Sequence, residues 1–312
     1  MSISEFPIPA VISQPNSIVL GPDGNLWFTE FNSNIIGRIT PNGIITQFAI
    51  TTPNSGPTGI AVGSDGSLWF TESNVNQIGR ITTTGVISEF AITTPGSVPS
   101  GIIGGPDGNL WFTELNANQI GVMDTSGVML NEYLIPTANS FPLGITVGSD
   151  GNLWFAESGS TNIGRITPLG VITEFGGLTN SAFYITNGPD GNLWFTELAD
   201  AIGNMDTSGN LLNEFAAPAG TAPAQITRGN NGTLFYTGSV SNTIDRITTS
   251  GVITQIAIPT AVSQPNGITR GPNNSIWFTE LTANQIGVLT FPLPPPPPLP
   301  PPPIIITNQC GY

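Results

Sequence analysis

Six glutamates recur at one interval along the chain: Glu30, Glu72, Glu114, Glu157, Glu197 and Glu280; Gly238 takes the remaining place in the series. Carboxylates set out this regularly can do three things. Hard oxygen donors can hold magnesium or calcium. A carboxyl whose pKa is raised can act as a general acid or base. A glutamate at a strand end can also accept hydrogen bonds from a neighbouring loop, and repetition at six positions favours this structural role, because catalysis rarely needs six copies. Two other polar series run alongside. Arg38, Arg80, Arg165 and Arg246 share one register and are expected to pair with acids on adjacent strands, whereas Asp23, Asp65, Asp107, Asp150 and Asp190 read as turn residues. Phosphate-binding loops, zinc ligand sets, nucleophile elbows and dinucleotide fingerprints are missing from the sequence.

The elements that must position these groups are themselves repeated. Each glutamate closes a copy of the string Gly21-Pro22-Asp23-Gly24-Asn25-Leu26-Trp27-Phe28-Thr29-Glu30. The tryptophan returns at Trp69, Trp111, Trp154, Trp194 and Trp277, with Phe235 in its slot in the sixth copy, so seven copies follow one another about 42 residues apart. Each copy reads as four short extended segments, a to d, separated by turns in which Gly, Asp and Asn tolerate a positive φ. Nothing has helical length or period. The fold class expected is all-β: a seven-bladed propeller of four-stranded antiparallel blades. Both faces of a blade pack on other blades, so Leu68, Trp69 and Phe70 can all be buried although they point to opposite faces.

The ends of the series specify how the ring closes. Residues 3 to 9 (ISEFPIP) look like a strand d with no a, b or c before them, and the seventh copy ends after its strand c at Gln285 to Thr290. The N-terminal segment is therefore expected to complete the last blade and remove an exposed edge. The propeller should span residues 1–291. Residues 292–303 are proline apart from Leu293 and Leu299, a polyproline spacer, and 304–312 form a short tail. Pairing of strands a and b is expected to set the strand a starts Asn16, Thr58, Ser100, Leu143, Phe183, Ala224 and Asn266 beside the glutamates, both rings lying near one mouth of the channel.

Composition narrows the partners. With 20 acids, six basic residues (all Arg), no His and a net charge of −14, clustered cations for nucleic acid or an anionic membrane are lacking. A small molecule or protein at a propeller mouth, a cationic partner, or a bound magnesium or calcium ion is compatible. Cys310 is the only cysteine, so no intrachain disulfide forms. The chain shows no segment of signal-peptide or transmembrane character, and a monomer is expected.

The strings GPDGNLWFTE, IGRITPxG and ITEFxIPT resemble the streptogramin B lyase (virginiamycin B lyase) family over nearly all of residues 3 to 290. The resemblance implies a seven-bladed propeller and, in the enzymes, magnesium-dependent opening of a cyclic depsipeptide by elimination. It also implies histidines at the starts of strand a in the last two blades, positions that hold Asn266 and Ala224 here; a further family acid two residues before the first is Gln264, and the acid Glu280 is retained. Elimination needs a base to take a proton α to a carbonyl, and His suits that task near neutral pH. Asn and Ala cannot accept it. The expectation is a lyase-like propeller without lyase chemistry, acting as a binding or scaffold module; the alternative is a divergent carbon–oxygen lyase. Glu280 is the candidate catalytic residue, and Glu280, Glu30 and Glu72 are the candidate metal ligands.

Overall fold

The computed structural model describes residues 1–10, 12–230 and 232–292. These form seven four-stranded antiparallel sheets, each a blade with strand order a-b-c-d. Blade 2 is representative, with strands Pro57–Val62, Leu68–Glu72, Gln77–Ile81 and Ile87–Ala91. Strand a lines the central channel. Strand b lies behind it and is buried along its whole length in every blade.

Closure follows the sequence expectation. The N-terminal strand Ser2–Pro7 pairs antiparallel with Gln285–Thr290, in a register that sets Ile3 opposite Leu289 and Phe6 opposite Ile286. It also supplies the aromatic partner that blade 7 would otherwise lack. In blades 1 to 5 the strand b tryptophan stacks on a strand d aromatic of its own blade, as Trp69 does on Phe90 at 5.5 Å. In blade 7 the stack is Trp277 on Phe6, at 6.0 Å. Blade 6 has Ile256 on strand d, and there Phe291 comes in edge-on to Phe235 at 5.8 Å.

The core is divided among the seams. One cluster joins Trp27 and Ile36 of blade 1 to Ile60, Leu68, Phe70 and Ile81 of blade 2, and equivalent clusters recur round the ring. This is why all three of Leu68, Trp69 and Phe70 are sealed. Each aspartate of the a–b turns accepts a hydrogen bond from the indole of its own blade, Trp69 Nε1 to Asp65 Oδ1 at 3.1 Å being typical. In blade 7 Ser275 Oγ takes that role for Trp277, at 2.9 Å. The spacer and tail from residue 293 onward lie outside the described residues.

Candidate functional site

The a–b pairing differs by one residue from the register expected. Pro15, not Asn16, stands opposite Glu30, and the ladder resumes only at Ile18 opposite Phe28, across a bulge. Every blade repeats this irregularity. The bulge frees the strand a start to face the channel, and a strand b threonine takes up the backbone groups it leaves unpaired. Thr71 Oγ1 accepts from Gly59 N–H at 2.8 Å and donates to the Ser100 carbonyl of the next blade at 2.8 Å. Six blades carry this bridge; in blade 4 the residue is Ala156.

The glutamates do not form a ring of charge at the mouth. Glu30, Glu72, Glu114, Glu157, Glu197 and Glu280 are buried to 1% exposure or less, one inside each blade except the sixth. Each faces strand d of its own blade. Gln47 Nε2 donates to both oxygens of Glu30 at 2.8 Å. In blades 2, 3, 4, 5 and 7 the strand d residue at this register is an acid: Glu89, Glu132, Glu174, Glu214 and Glu5. Burial, then repulsion from these acids, raises Glu72, Glu114 and Glu197 to about 8. Burial above all raises Glu30, Glu157 and Glu280 to about 7. Near neutral pH each strand b carboxyl of these pairs therefore tends to keep a proton, which relieves the repulsion from the acid it faces.

The outer acid of each pair also holds the neighbouring blade. Glu89 accepts from Thr52 N–H at 3.1 Å, and Glu132 from Thr94, Glu174 from Thr137, Glu214 from Thr179 and Glu5 from Thr260 in the same way. A strand c glycine makes room for the arrangement. A Cβ on Gly79 would lie 2.1 Å from the Phe70 ring and 2.7 Å from Glu72 Oε1. Blade 6 solves the same problem with other residues: Gly238 replaces the glutamate, Tyr236 the phenylalanine, and Asp245 the strand c glycine, burial raising Asp245 to about 6.

The candidate metal ligands therefore stand apart. Glu280, Glu30 and Glu72 occupy separate slots in blades 7, 1 and 2, and among the described residues no three His, Cys, Asp or Glu side chains come together. The arginine series also differs from expectation. Arg80 Nε binds Asp65 Oδ2 at 2.8 Å, the one ion pair among the described residues. All three of Arg38, Arg80 and Arg165 lie over the indole of their own blade, Trp27, Trp69 and Trp154, at 5.5, 5.8 and 5.5 Å from the ring centroid. A guanidinium stacked on the indole covers one face of the ring, and Arg38 Nη1 also donates to the Thr83 carbonyl of the next blade at 3.2 Å.

The mouth itself is nearly uncharged. Asn16, Thr58, Ser100, Leu143, Phe183, Ala224 and Asn266 start the channel strands, above a collar of isoleucines that includes Ile18, Ile60, Ile102 and Ile268. Asn266 Nδ2 donates to both the carbonyl and Oδ1 of Asn16, at 3.2 and 3.0 Å, across the closing seam. Beside Ala224 a cavity of about 520 Å³ opens between blades 5 and 6, lined by Phe183, Leu198, Ala222, Ala224 and Val240 together with two acids, Glu197 and Asp200. Asp200 at its rim is committed to the backbone, accepting from Gly220 N–H at 2.7 Å and Ala222 N–H at 2.6 Å. This cavity escaped the sequence reading. Its trace there is the b–c loop Leu198-Ala199-Asp200, one residue shorter than Leu115-Asn116-Ala117-Asn118 of blade 3.

The sequence profile of the Virginiamycin B lyase family matches residues 1–183 and 177–292. The chain belongs to that family. Virginiamycin B lyase from Staphylococcus aureus, in its selenomethionine-substituted crystal structure, is 37% identical over 93% of this chain and 99% of its own, with a TM-score of 0.88. A streptogramin B lyase structure is 36% identical over 92% of this chain and 96% of its own, with a TM-score of 0.87. A catalytically inactive histidine-to-alanine variant of the S. aureus enzyme, solved with quinupristin, is 37% identical over 93% of this chain and 99% of its own, with a TM-score of 0.89. No curated protein sequence matches the chain. Within this virginiamycin B lyase fold, Asn266 and Ala224 stand on neighbouring channel strands at the mouth, and Glu280 lies buried behind them. Gln264, at a positive φ of 54°, accepts from Thr282 Oγ1 at 2.7 Å.

Proposed function

We propose that this member of the virginiamycin B lyase family binds a ligand at the mouth bearing Asn266 and Ala224 and does not open cyclic depsipeptides by histidine-based elimination. The observation that carries this reading is the chain's lack of any histidine. Taking a proton α to a carbonyl requires an accessible lone pair of suitable basicity. The Asn266 amide nitrogen is a donor already engaged by Asn16, and Ala224 offers a methyl group. The histidine-to-alanine variant of the S. aureus enzyme, described as catalytically inactive, supports the same inference. The cavity beside Ala224 suits an apolar, uncharged group, because Phe183, Leu198 and Val240 line it, the Asp200 carboxylate is occupied by backbone N–H groups, and burial raises its other acid, Glu197, to about 8 and so favours its neutral form.

A divergent carbon–oxygen lyase is the second reading. The observation in its favour is Glu280, raised by burial to about 7 and so near the basicity a general base needs. Against it, the carboxyl is fully buried and faces Glu5 rather than the mouth. The residues do not suit magnesium either: that ion keeps several waters in an octahedral shell, whereas Glu280 is closed to solvent and has no third acid beside it. No step is routed through it.

Incubation with a streptogramin B and magnesium, followed by mass spectrometry, separates the readings. The ring-closed mass is expected to persist, with saturable binding seen by titration calorimetry and lost in Val240→Glu. Catalytic accumulation of the linear product overturns the proposal, and its abolition by Glu280→Gln assigns the base.

A further inference from the structure

We infer that the opposite face, which carries the a–b and c–d turns, holds an anion-binding site at the seam of blades 6 and 7, built to take a carboxylate with an apolar or aromatic body. The charge distribution is the first argument. Of the 20 acids only Asp245, Glu280 and Glu5 belong to these two blades; Asp245 and Glu280 are fully buried, and Glu5 faces Glu280. Three of the six basic residues, Arg228, Arg246 and Arg270, lie in the same two blades. Arg228 and Arg270 end neighbouring channel strands and are exposed. Among the described residues none of the three is in an ion pair.

The turns on this face sharpen the contrast. Blades 1 to 5 carry Asp23, Asp65, Asp107, Asp150 and Asp190 there, and blades 3 and 5 add Asp124 and Asp206 in their c–d turns. In the sequence of blades 6 and 7 the repeat position of these aspartates is held by Asn231 and Asn273, and the c–d turn of blade 6 reads Thr-Thr-Ser-Gly. A protein of net charge −14 thus presents a local positive potential where uncompensated guanidinium groups meet a depression.

The depression is the second argument. A cavity of about 590 Å³ is lined by the polar groups of Arg246, Asn230 and Asn274 and by the apolar Phe235, Phe291 and Met1, with no acid in its wall among the described residues. Its polar groups are linked to the exposed arginine: Arg270 Nη2 donates to Asn274 Oδ1 at 3.1 Å, and Asn230 Nδ2 to the Asn274 carbonyl at 3.1 Å. The fork of a guanidinium matches the two oxygens of a carboxylate, and the phenylalanine wall accepts an apolar body. The site lies on the face opposite Asn266 and Ala224 and is independent of the mouth.

Titration calorimetry of the full chain with 3-phenylpropanoate, using 3-phenylpropanamide as the uncharged control, tests this. The carboxylate is expected to bind with an affinity that falls as salt rises. The amide, and the variants Arg246→Gln and Arg270→Gln, are expected to be weaker by about tenfold, the worth of one charge-assisted hydrogen bond. Arg246→Lys should recover part of the loss, and circular dichroism confirms that each variant is folded. Equal binding of acid and amide, unchanged affinity in both glutamine variants, or no binding at about 10 mM ligand overturns the inference.

Discussion

Gln47 holds Glu30 through both carboxylate oxygens at 2.8 Å, and this neutral contact in blade 1 is the template for a charged one elsewhere. In blade 2 the strand d residue is Glu89, and the pair it forms with Glu72 needs a proton to do what the Gln47 amide does unaided. The strand b glutamates have folded pKa values of about 7 to 8 against 4.5 for an ordinary glutamate. Over the interval from about pH 4.5 to about pH 8, the unfolded chain has released protons that the folded chain retains, so stability declines as pH rises. Acids held below their usual range by hydrogen bonds, Asp23 and Asp65, act oppositely: their contribution is present above pH 3.8 and is lost as pH falls. The melting temperature should peak near pH 5 and decline steadily to pH 9.

The change Glu89→Gln should blunt that decline. The new amide can donate to an ionised Glu72 while its oxygen still accepts from Thr52 N–H. At pH 8 the variant is expected to melt about 2 °C or more above the parent, with no gain at pH 5. Calorimetric scans across pH decide it; an equal shift at both pH values would mean that no shared proton is involved.

Ala156 marks the one seam without a threonine bridge. The hydroxyl would accept from Gly144 N–H and donate to the Phe183 carbonyl, as Thr71 does between Gly59 and Ser100. Ala156→Thr should stabilise the propeller by about 1 kcal/mol, the usual net worth of such bonds. Denaturant unfolding measures it, and a destabilisation would show that the packed seam has no room for the hydroxyl.

Removing residues 1–9 opens the ring. It deletes a whole strand of blade 7, the Phe6 ring beneath Trp277, and the Glu5 carboxyl that binds Thr260 N–H. The melting temperature is expected to fall by roughly 10 °C, since about 1 kcal/mol corresponds to a few degrees in a domain of this size. An unchanged value would show that the strand is dispensable to closure.

Cutting the chain after Pro292 is expected to leave melting and circular dichroism unchanged, because Phe291, which contacts Phe235, is kept. A large loss would place residues 293–312 against the propeller.

The sequence by itself determined the count of blades, the turns and the closure. Those depend on local periodicity: a Trp-Phe-Thr-Glu strand about every 42 residues, Gly and Asp at each turn, and a spare strand d at one end of the chain. Tertiary structure alone decided what the glutamates are for. Whether Glu72 meets water or Glu89 depends on strands two places apart in the sheet, on the glycine between them at Gly79, and on the blade that covers both. The a–b bulge moved Asn16 from the side of Glu30 to the channel wall, a shift of one residue that no alternation pattern announces, because strand b is apolar on both faces. The arginines parted in a smaller way: Arg38, Arg80 and Arg165 all lie over indole rings, but among the described residues only Arg80 also pairs with an acid, Asp65, whereas Arg38 donates to the Thr83 carbonyl of the next blade, since identical side chains at identical repeat positions answer to neighbours contributed by other strands.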